Sequence, residues 1–186
     1  MYNIGLVGKK RSGKDTAALH LVRTRAYTRL AFADPLKEMA LSLNPWVVYE
    51  LPGFGGPEYV RLATLVGHVG WERAKDEYPE VRRILQQTGQ TVREYDPDFW
   101  LRPMRQKLNN AERWNLPVII TDVRYPNEAG MLRARGFRLV RIVRPGTGLG
   151  VGSQHESETA LDEYVTDVTI TNAGPIEDLR DAIAAV

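Results

Sequence analysis

The chain opens on an apolar run, Ile4-Gly5-Leu6-Val7, that reads as a short strand. From Gly13 to about Arg25 the period changes to that of a helix. Ala17, Leu19 or Ala18, Leu21 and Val22 form one apolar stripe. Arg23 and Arg25 fall in its last turn, where cations suit the helix dipole. Tyr27 to Ala33 reads as a second strand. Asp34-Pro35 then stops it and opens a helix through Leu43, because Pro after an Asp cap is a helix-start signal. Residues 44–57 contain Pro45, Pro52, Gly53, Gly55, Gly56 and Pro57 and read as a loop. Three helices follow. Val60, Leu62, Ala63, Val66 and Trp71 predict one over 58–77, and Val81, Ile84 and Leu85 one over 80–89. Phe99, Trp100, Met104 and Leu108 predict another from Asp96-Pro97 to about Trp114.

Leu116 to Asp122 is a continuous apolar run ending in an acid, the pattern of a parallel strand buried on both faces. A helix over 127–136, closed by Gly136, leads to a strand over 137–143. Residues 144–154 are rich in Gly and carry no period, which predicts a flexible loop and a candidate lid. A helix over 155–162, a strand over 167–171 and a closing helix over 175–185 complete the chain. Strands alternating with helices predict a parallel α/β sheet with right-handed crossovers.

At 186 residues the chain is read as one domain. A formal net charge of +2 argues against a bulk polyanion such as nucleic acid. The basic residues are mostly Arg at separated positions, which suits a phosphate pocket. There is no Cys, so disulfides and Cys-based zinc sites are excluded, and three scattered His make a His-rich metal site a poor fit. No apolar run reaches membrane-spanning length, and the N-terminus reads as a strand rather than a signal peptide. A soluble, cytoplasmic protein is the expectation.

Between the first strand and first helix, Gly8-x4-Gly13-Lys14 has the spacing of a P-loop. Such a loop points successive backbone N–H groups inward as an anion cradle. The following helix adds its positive N-terminal end, and Lys14 adds a mobile charge for phosphates. The residue after the Lys is usually Ser or Thr, whose hydroxyl binds Mg2+. Here it is Asp15, followed by Thr16, so either residue could organise the metal. Asp122, at the end of an apolar strand, fits the acid that holds Mg2+ in such proteins. Asp34 and Lys37 fall at the end of the second strand, where ligands bind in open α/β sheets. Five strands, a first-strand P-loop, a helical excursion and a late Gly-rich loop together describe a P-loop kinase.

The chain resembles the phage deoxynucleoside monophosphate kinase family of P-loop nucleotide kinases. The matching pieces are residues 8–16 (Gly-Lys-Lys-Arg-Ser-Gly-Lys-Asp-Thr), 31–37 (Ala-Phe-Ala-Asp-Pro-Leu-Lys) and 85–93 (Leu-Gln-Gln-Thr-Gly-Gln-Thr-Val-Arg), with Asp98-Phe99-Trp100. They continue with 121–128 (Thr-Asp-Val-Arg-Tyr-Pro-Asn-Glu) and 155–158 (His-Glu-Ser-Glu). The resemblance implies ATP-dependent conversion of deoxynucleoside monophosphates to diphosphates. It also implies a three-layer αβα sandwich whose five parallel strands run in the order 2-3-1-4-5. The core would span about 1–34 and 115–186, a helical acceptor-binding insertion about 35–114 and a lid about 144–158.

On this reading Lys14 and the amides of residues 9–15 hold the ATP phosphates: Gly8, Lys9, Lys10, Arg11, Ser12, Gly13, Asp15 and Thr16 complete the loop. Arg11 would reach the transferring phosphoryl, and Arg144 would close from the lid. The resemblance gives Arg93 the acceptor phosphate, with Arg124 and Lys37 as further candidates. Gln86, Gln87, Tyr95 and Trp100 are candidates for base contacts. Glu128 is a candidate on the substrate side as the partner of an Arg, and His155 as a lid hydrogen-bonder. Asp15 or Thr16 and Asp122 would organise Mg2+. Three rival readings remain. A kinase with a hydroxyl acceptor (nucleoside, shikimate or phosphomevalonate type) would use Asp34 as base, but a neutral acceptor needs no arginine clamp. Phosphomevalonate, itself a phosphate acceptor, escapes that argument. A nucleotide-binding switch of the GTPase kind would carry Asn-Lys-x-Asp, which is missing. A polynucleotide end-kinase would carry a basic stripe. Nothing along the chain marks an oligomeric interface, and the resemblance leaves a homodimer open.

Overall fold

The four apolar residues after Asn3 form a strand paired on both sides, as a run buried on both faces requires. A computed structural model of the chain describes residues 2–50, 56–147 and 156–186. In chain order the elements are β1 (Ile4–Val7), α1 (Lys14–Arg25), β2 (Thr28–Leu30), α2 (Ala33–Leu43), β3 (Trp46–Glu50) and β4 (Pro57–Arg61). Then come α3 (Leu62–Glu77), α4 (Pro79–Tyr95), α5 (Leu101–Arg113), β5 (Val118–Ile120) and α6 (Pro126–Ala134). β6 (Arg138–Val143), α7 (Glu156–Thr159), β7 (Val168–Thr171) and α8 (Ile176–Ala184) follow. The chain divides into two units, Met1–Phe32 with Leu101–Val186, and Ala33–Trp100.

The first unit is built on a parallel sheet in the order β2-β5-β1-β6-β7. Counting its five strands in chain order, this is the expected 2-3-1-4-5. β1 and β5 are buried throughout, whereas the edge strands β2 and β7 are partly exposed. Side chains alternate between two layers. Ile4 and Leu6 of β1 join Ile119, Val140 and Ile142 against Ala17, Ala18 and Leu21 of α1 and Leu179 and Ile183 of α8. Val7 joins Val118, Ile120 and Leu139 against Met104 and Leu108 of α5 and Ala129 and Leu132 of α6. In α1 the stripe therefore runs through Ala18 and not Leu19, which is 46% exposed. α5, which the sequence reading assigns to the helical insertion, packs in this unit. All five strands being parallel, their carboxyl ends share one edge of the sheet. Residues 8–14, Asp122, Arg144 and Asn172 therefore follow strands that end on the same side.

The second unit gathers α2, α3 and α4 around Ala40, Val47, Leu62, Leu65, Val81 and Leu85. Here the structure corrects five expectations. Residues 44–57 are not all loop: β3 pairs antiparallel with β4, Trp46 opposite Arg61 and Val48 opposite Tyr59. Alternation explains it, since Val47 is fully buried while Trp46 and Val48 are exposed. The Arg61 guanidinium lies 4.0 Å from the centre of the Trp46 ring. The helix expected from residue 58 starts only at Leu62, after the hairpin, with the Ala63 N–H donating to Asn44 Oδ1 at 2.9 Å. α4 runs through Gly89 instead of stopping there, because Gly89 is where Leu36 of α2 approaches; a Cβ would stand 3.2 Å from Leu36 Cδ2. Asp34 does not cap α2 but lies in its first turn. At the unit's end, Asp96 turns the chain by accepting the Asp98 N–H on its side chain and the Phe99 N–H on its carbonyl, so α5 begins at Leu101 rather than at Asp96-Pro97. Among the described residues no helix is long and apolar enough to cross a membrane.

The two candidate stripes on α1 separate by mutation. Leu21→Ala should cost about 2–5 kcal/mol in equilibrium urea unfolding. Leu19→Ala should stay within about 0.5 kcal/mol.

Candidate functional site

The turn from β1 into α1 is a backbone cradle that only glycine permits at two places. At Gly8 a Cβ would lie 2.4 Å from the Ile142 carbonyl oxygen. Gly13 caps α1 at φ 109°, and a Cβ there would lie 2.6 Å from Asn172 Nδ2. Asn172 in turn donates from Nδ2 to the Ser12 carbonyl at 2.8 Å, tying the loop to the end of β7. Arg11 also takes the left-handed conformation, at φ 64°. Ser12 Oγ is buried with no hydrogen-bond partner among the described residues.

Lys14 is only 7% exposed and curls back on its own loop. Its Nζ donates to the carbonyls of Gly8 at 2.8 Å and Lys9 at 2.7 Å. Burial is the main cause that brings its pKa down to about 8, and the Arg124 guanidinium adds to it. Glu158, Asp15 and Asp122 pull the other way. The loop thus holds a buried cation whose present partners are neutral carbonyls.

The strand ends on either side supply the walls. After β5, Asp122 Oδ1 accepts the Phe32 N–H at 2.8 Å. Arg124 follows, its backbone N–H held by Glu128 Oε2 at 2.8 Å. Its Nη1 donates to the Ser157 carbonyl at 3.1 Å and to the Glu158 carboxylate. The other Glu158 oxygen accepts the Lys10 N–H at 3.0 Å. Lys9 Nζ reaches the Asp162 carboxylate at 2.5 Å and the Glu158 carbonyl at 2.5 Å. In β6, Arg141 donates to the carbonyls of Leu161 and Tyr164. A cavity of about 240 Å³ opens here, with Gly8, Lys9, Arg124, Arg141, Arg144 and Thr147 in its lining. Backbone amides, lysines and arginines converging on one small cavity can bind a polyphosphate.

The structure therefore gathers residues 8–16, Asp122, Arg124 and Arg144 in the first unit. Asp34, Lys37, Gln86, Gln87 and Arg93 belong to the second. Lys37 Nζ lies 5.8 Å from the centre of the Trp71 ring, and Gln87 Oε1 accepts from Arg83 at 2.7 Å. Arg93 is half-buried in the last turn of α4, and Tyr95 is exposed. One expected substrate contact is corrected. Trp100 is 2% exposed and donates its indole N–H to the Gly89 carbonyl, so it is core and offers no face to a base. Glu128 is 1% exposed, and its Oε2 accepts the backbone N–H groups of Arg124 and Tyr125, so it is the partner of an Arg through the backbone and shapes the loop. Among the metal candidates Asp15 is largely exposed, 3.9 Å from Arg29, and Thr16 is half-buried. Among the described residues no three His, Asp or Glu side chains form a metal-binding group. Of the candidate lid over about 144–158, residues 148–155, His155 among them, lie outside the described residues. The sequence reading missed Asp162, Asn172 and Arg141 and gave Glu158 no role. The one signal for Arg141 was a charge inside an apolar strand.

A family model described as deoxynucleotide monophosphate kinase matches residues 60–183. A protein of Acanthamoeba polyphaga mimivirus, provisionally named for the same activity, is 27% identical over 98% of this chain and 94% of its own length. The deoxynucleotide monophosphate kinase of Enterobacteria phage T4 is 30% identical over 55% of this chain and 43% of its own. Among solved structures, dephospho-CoA kinase from Campylobacter jejuni aligns over 100% of this chain and 95% of its own at a TM-score of 0.52 and 11% identity, a likeness of fold.

The Lys14 environment sets a pH dependence with a definite sign. Below about 8 Lys14 carries its charge, and above it the folded loop holds a neutral amine. Affinity for tripolyphosphate, measured from pH 7 to 9.5 and read as the difference from Lys14→Met, should fall by up to about tenfold per pH unit above that point. A constant difference across the range would show that Lys14 is not the titrating group.

Proposed function

The chain belongs to the deoxynucleotide monophosphate kinase family, and from that premise we infer how its residues share the work. The enzyme transfers the terminal phosphoryl group of ATP to the phosphate of a deoxynucleoside monophosphate, giving the diphosphate and ADP. An acceptor oxygen forms the new bond to the γ-phosphorus as the bond to the β,γ-bridging oxygen breaks. The acceptor oxygen is already anionic, so no general base is required. The barrier lies in bringing two polyanions together and in stabilising the charge of the transferring group.

The observation that carries this division of labour is the loop at residues 8–14. Its two glycines leave no room for side chains, Lys14 closes it by folding back on its carbonyls, and Arg124 lines the cavity beside it. The loop amides and Lys14 take the ATP phosphates. To do so Lys14 exchanges the carbonyls of Gly8 and Lys9 for phosphate oxygens. Arg124 and Arg11 serve the transferring group, and Arg144 adds charge from the end of β6. Arg93 grips the acceptor phosphate as a two-pronged donor. Asp34, Lys37, Gln86 and Gln87 complete the acceptor side.

The residues present also fit Mg2+. Asp15 lies in the first turn of α1 directly after Lys14, and Asp122 follows β5, which pairs with β1, so both carboxylates stand at the sheet edge that carries the phosphate-binding turn. Hard oxygen donors from one or two carboxylates, completed by phosphate, are what this ion takes. Asp122 with Asp15 or Thr16 would hold it, and when bound it neutralises charge on the β- and γ-phosphates.

A coupled assay of ADP release tests the reading against the four deoxynucleoside monophosphates, their ribose counterparts, thymidine and shikimate. ADP should appear with the monophosphates and not with the two hydroxyl acceptors; the reverse pattern would overturn the acceptor assignment. Lys14→Ala should lower kcat by about 100-fold or more with the circular dichroism spectrum unchanged. Arg93→Ala should raise the acceptor KM about tenfold and lower kcat. Wild-type kinetics in that variant would remove Arg93 from the site.

A further inference from the structure

Arg124 is held at both ends, and its charged end is held by a residue to which nothing so far gives a task. We propose that Glu158 is the positioning residue of the phosphoryl-transfer site, fixing the Arg124 guanidinium against the phosphate-binding loop. The proposal rests on the kinase reading above.

The Glu158 side chain is 13% exposed, and both its oxygens are committed. One takes Nη1 of Arg124, and the other takes the backbone N–H of Lys10 at 3.0 Å. A single carboxylate therefore spans the guanidinium and the loop and sets the distance between them. The backbone of the same turn reinforces it. The Ser157 carbonyl accepts from the same Nη1, and the Glu158 carbonyl accepts from Lys9 Nζ. α7 has only four residues and would not keep its shape alone. It is anchored just beyond its end by Leu161, which is buried in the core shared with α6, and by Arg141, which donates to the carbonyls of Leu161 and Tyr164. Glu158 thus stands on a fixed base. A free arginine side chain would lose rotamer freedom on gripping a phosphate. Here that ordering is in place before any ligand arrives.

A carboxylate in a phosphate site has an alternative meaning, that of a competitor for the loop's donors. The two meanings predict opposite results. The test uses the full-length protein and its Glu158→Ala, Glu158→Gln, Arg124→Ala and Glu158→Ala/Arg124→Ala variants. For each, kcat, both KM values and ATP affinity are measured. Glu158→Ala should lower kcat about tenfold or more while both KM values move less than about threefold. Glu158→Gln keeps the shape and one of the two accepting oxygens, while its NH2 group cannot accept the second N–H, so it should fall between wild type and Glu158→Ala. The double variant should be no slower than Arg124→Ala alone, because Glu158 acts through Arg124. Wild-type kcat in both Glu158 variants overturns the proposal. So does a double variant slowed by the product of the single effects, or ATP binding that tightens with kcat intact. If the wild-type protein itself forms no acceptor-dependent ADP, the kinase reading fails, and the proposal falls with it.

Discussion

The first unit depends on β1 being apolar on both faces. A strand of that kind is stable only between two neighbours with helices on either side, so Ile4–Val7 lies between β5 and β6. Its carboxyl end is then the middle of the sheet edge, and the loop that follows is flanked by the polar residues ending its neighbours. Asp122 and Arg124 come from the β5 side and Arg144 from the β6 side. Even the glycine at the loop's start belongs to this constraint, since the β6 carbonyl of Ile142 stands where a side chain would be.

The charges around the cavity are arranged for the chemistry of two polyanions. Lys9, Arg124, Arg141 and Arg144 line it, with Lys14 behind, against Glu158 and Asp162. Each acid is used twice or more, and each cation with a described contact leans on a carbonyl or a carboxylate rather than standing bare in a half-buried place. This meets the desolvation cost of gathering like charges. It also leaves the surplus positive, as a site for phosphates requires.

Much of this was legible in the sequence because its signals are local. Gly8, Gly13 and Lys14 fall within seven consecutive residues, and β1 and β5 are doubly buried runs that read as such. The strand order was legible only through the family resemblance. What escaped was non-local. The β3–β4 hairpin was hidden behind a Pro- and Gly-rich stretch, since the alternation in Trp46 to Tyr49 gains meaning only from its pairing with residues 57–61. Gly89 looked like a helix stop because local propensity points that way, and packing against Leu36 overrode it. Trp100 already stood in the apolar spacing of its helix, and its burial decided for core over base contact, whereas Glu128 could not be told from a surface acid until its burial was known. Glu158 and Asn172 matter through bonds to Lys10 and Ser12, separated from them by 148 and 160 positions.

The folded-back lysine has a thermochemical consequence. With Lys14 at about 8, a solution at that pH holds roughly equal populations of ammonium and amine. Phosphate oxygens favour the ammonium, so each nucleotide bound draws a fraction of a proton from the medium. The heat of association is then partly the ionisation heat of the buffer. Its slope across buffers counts the protons that the loop takes up.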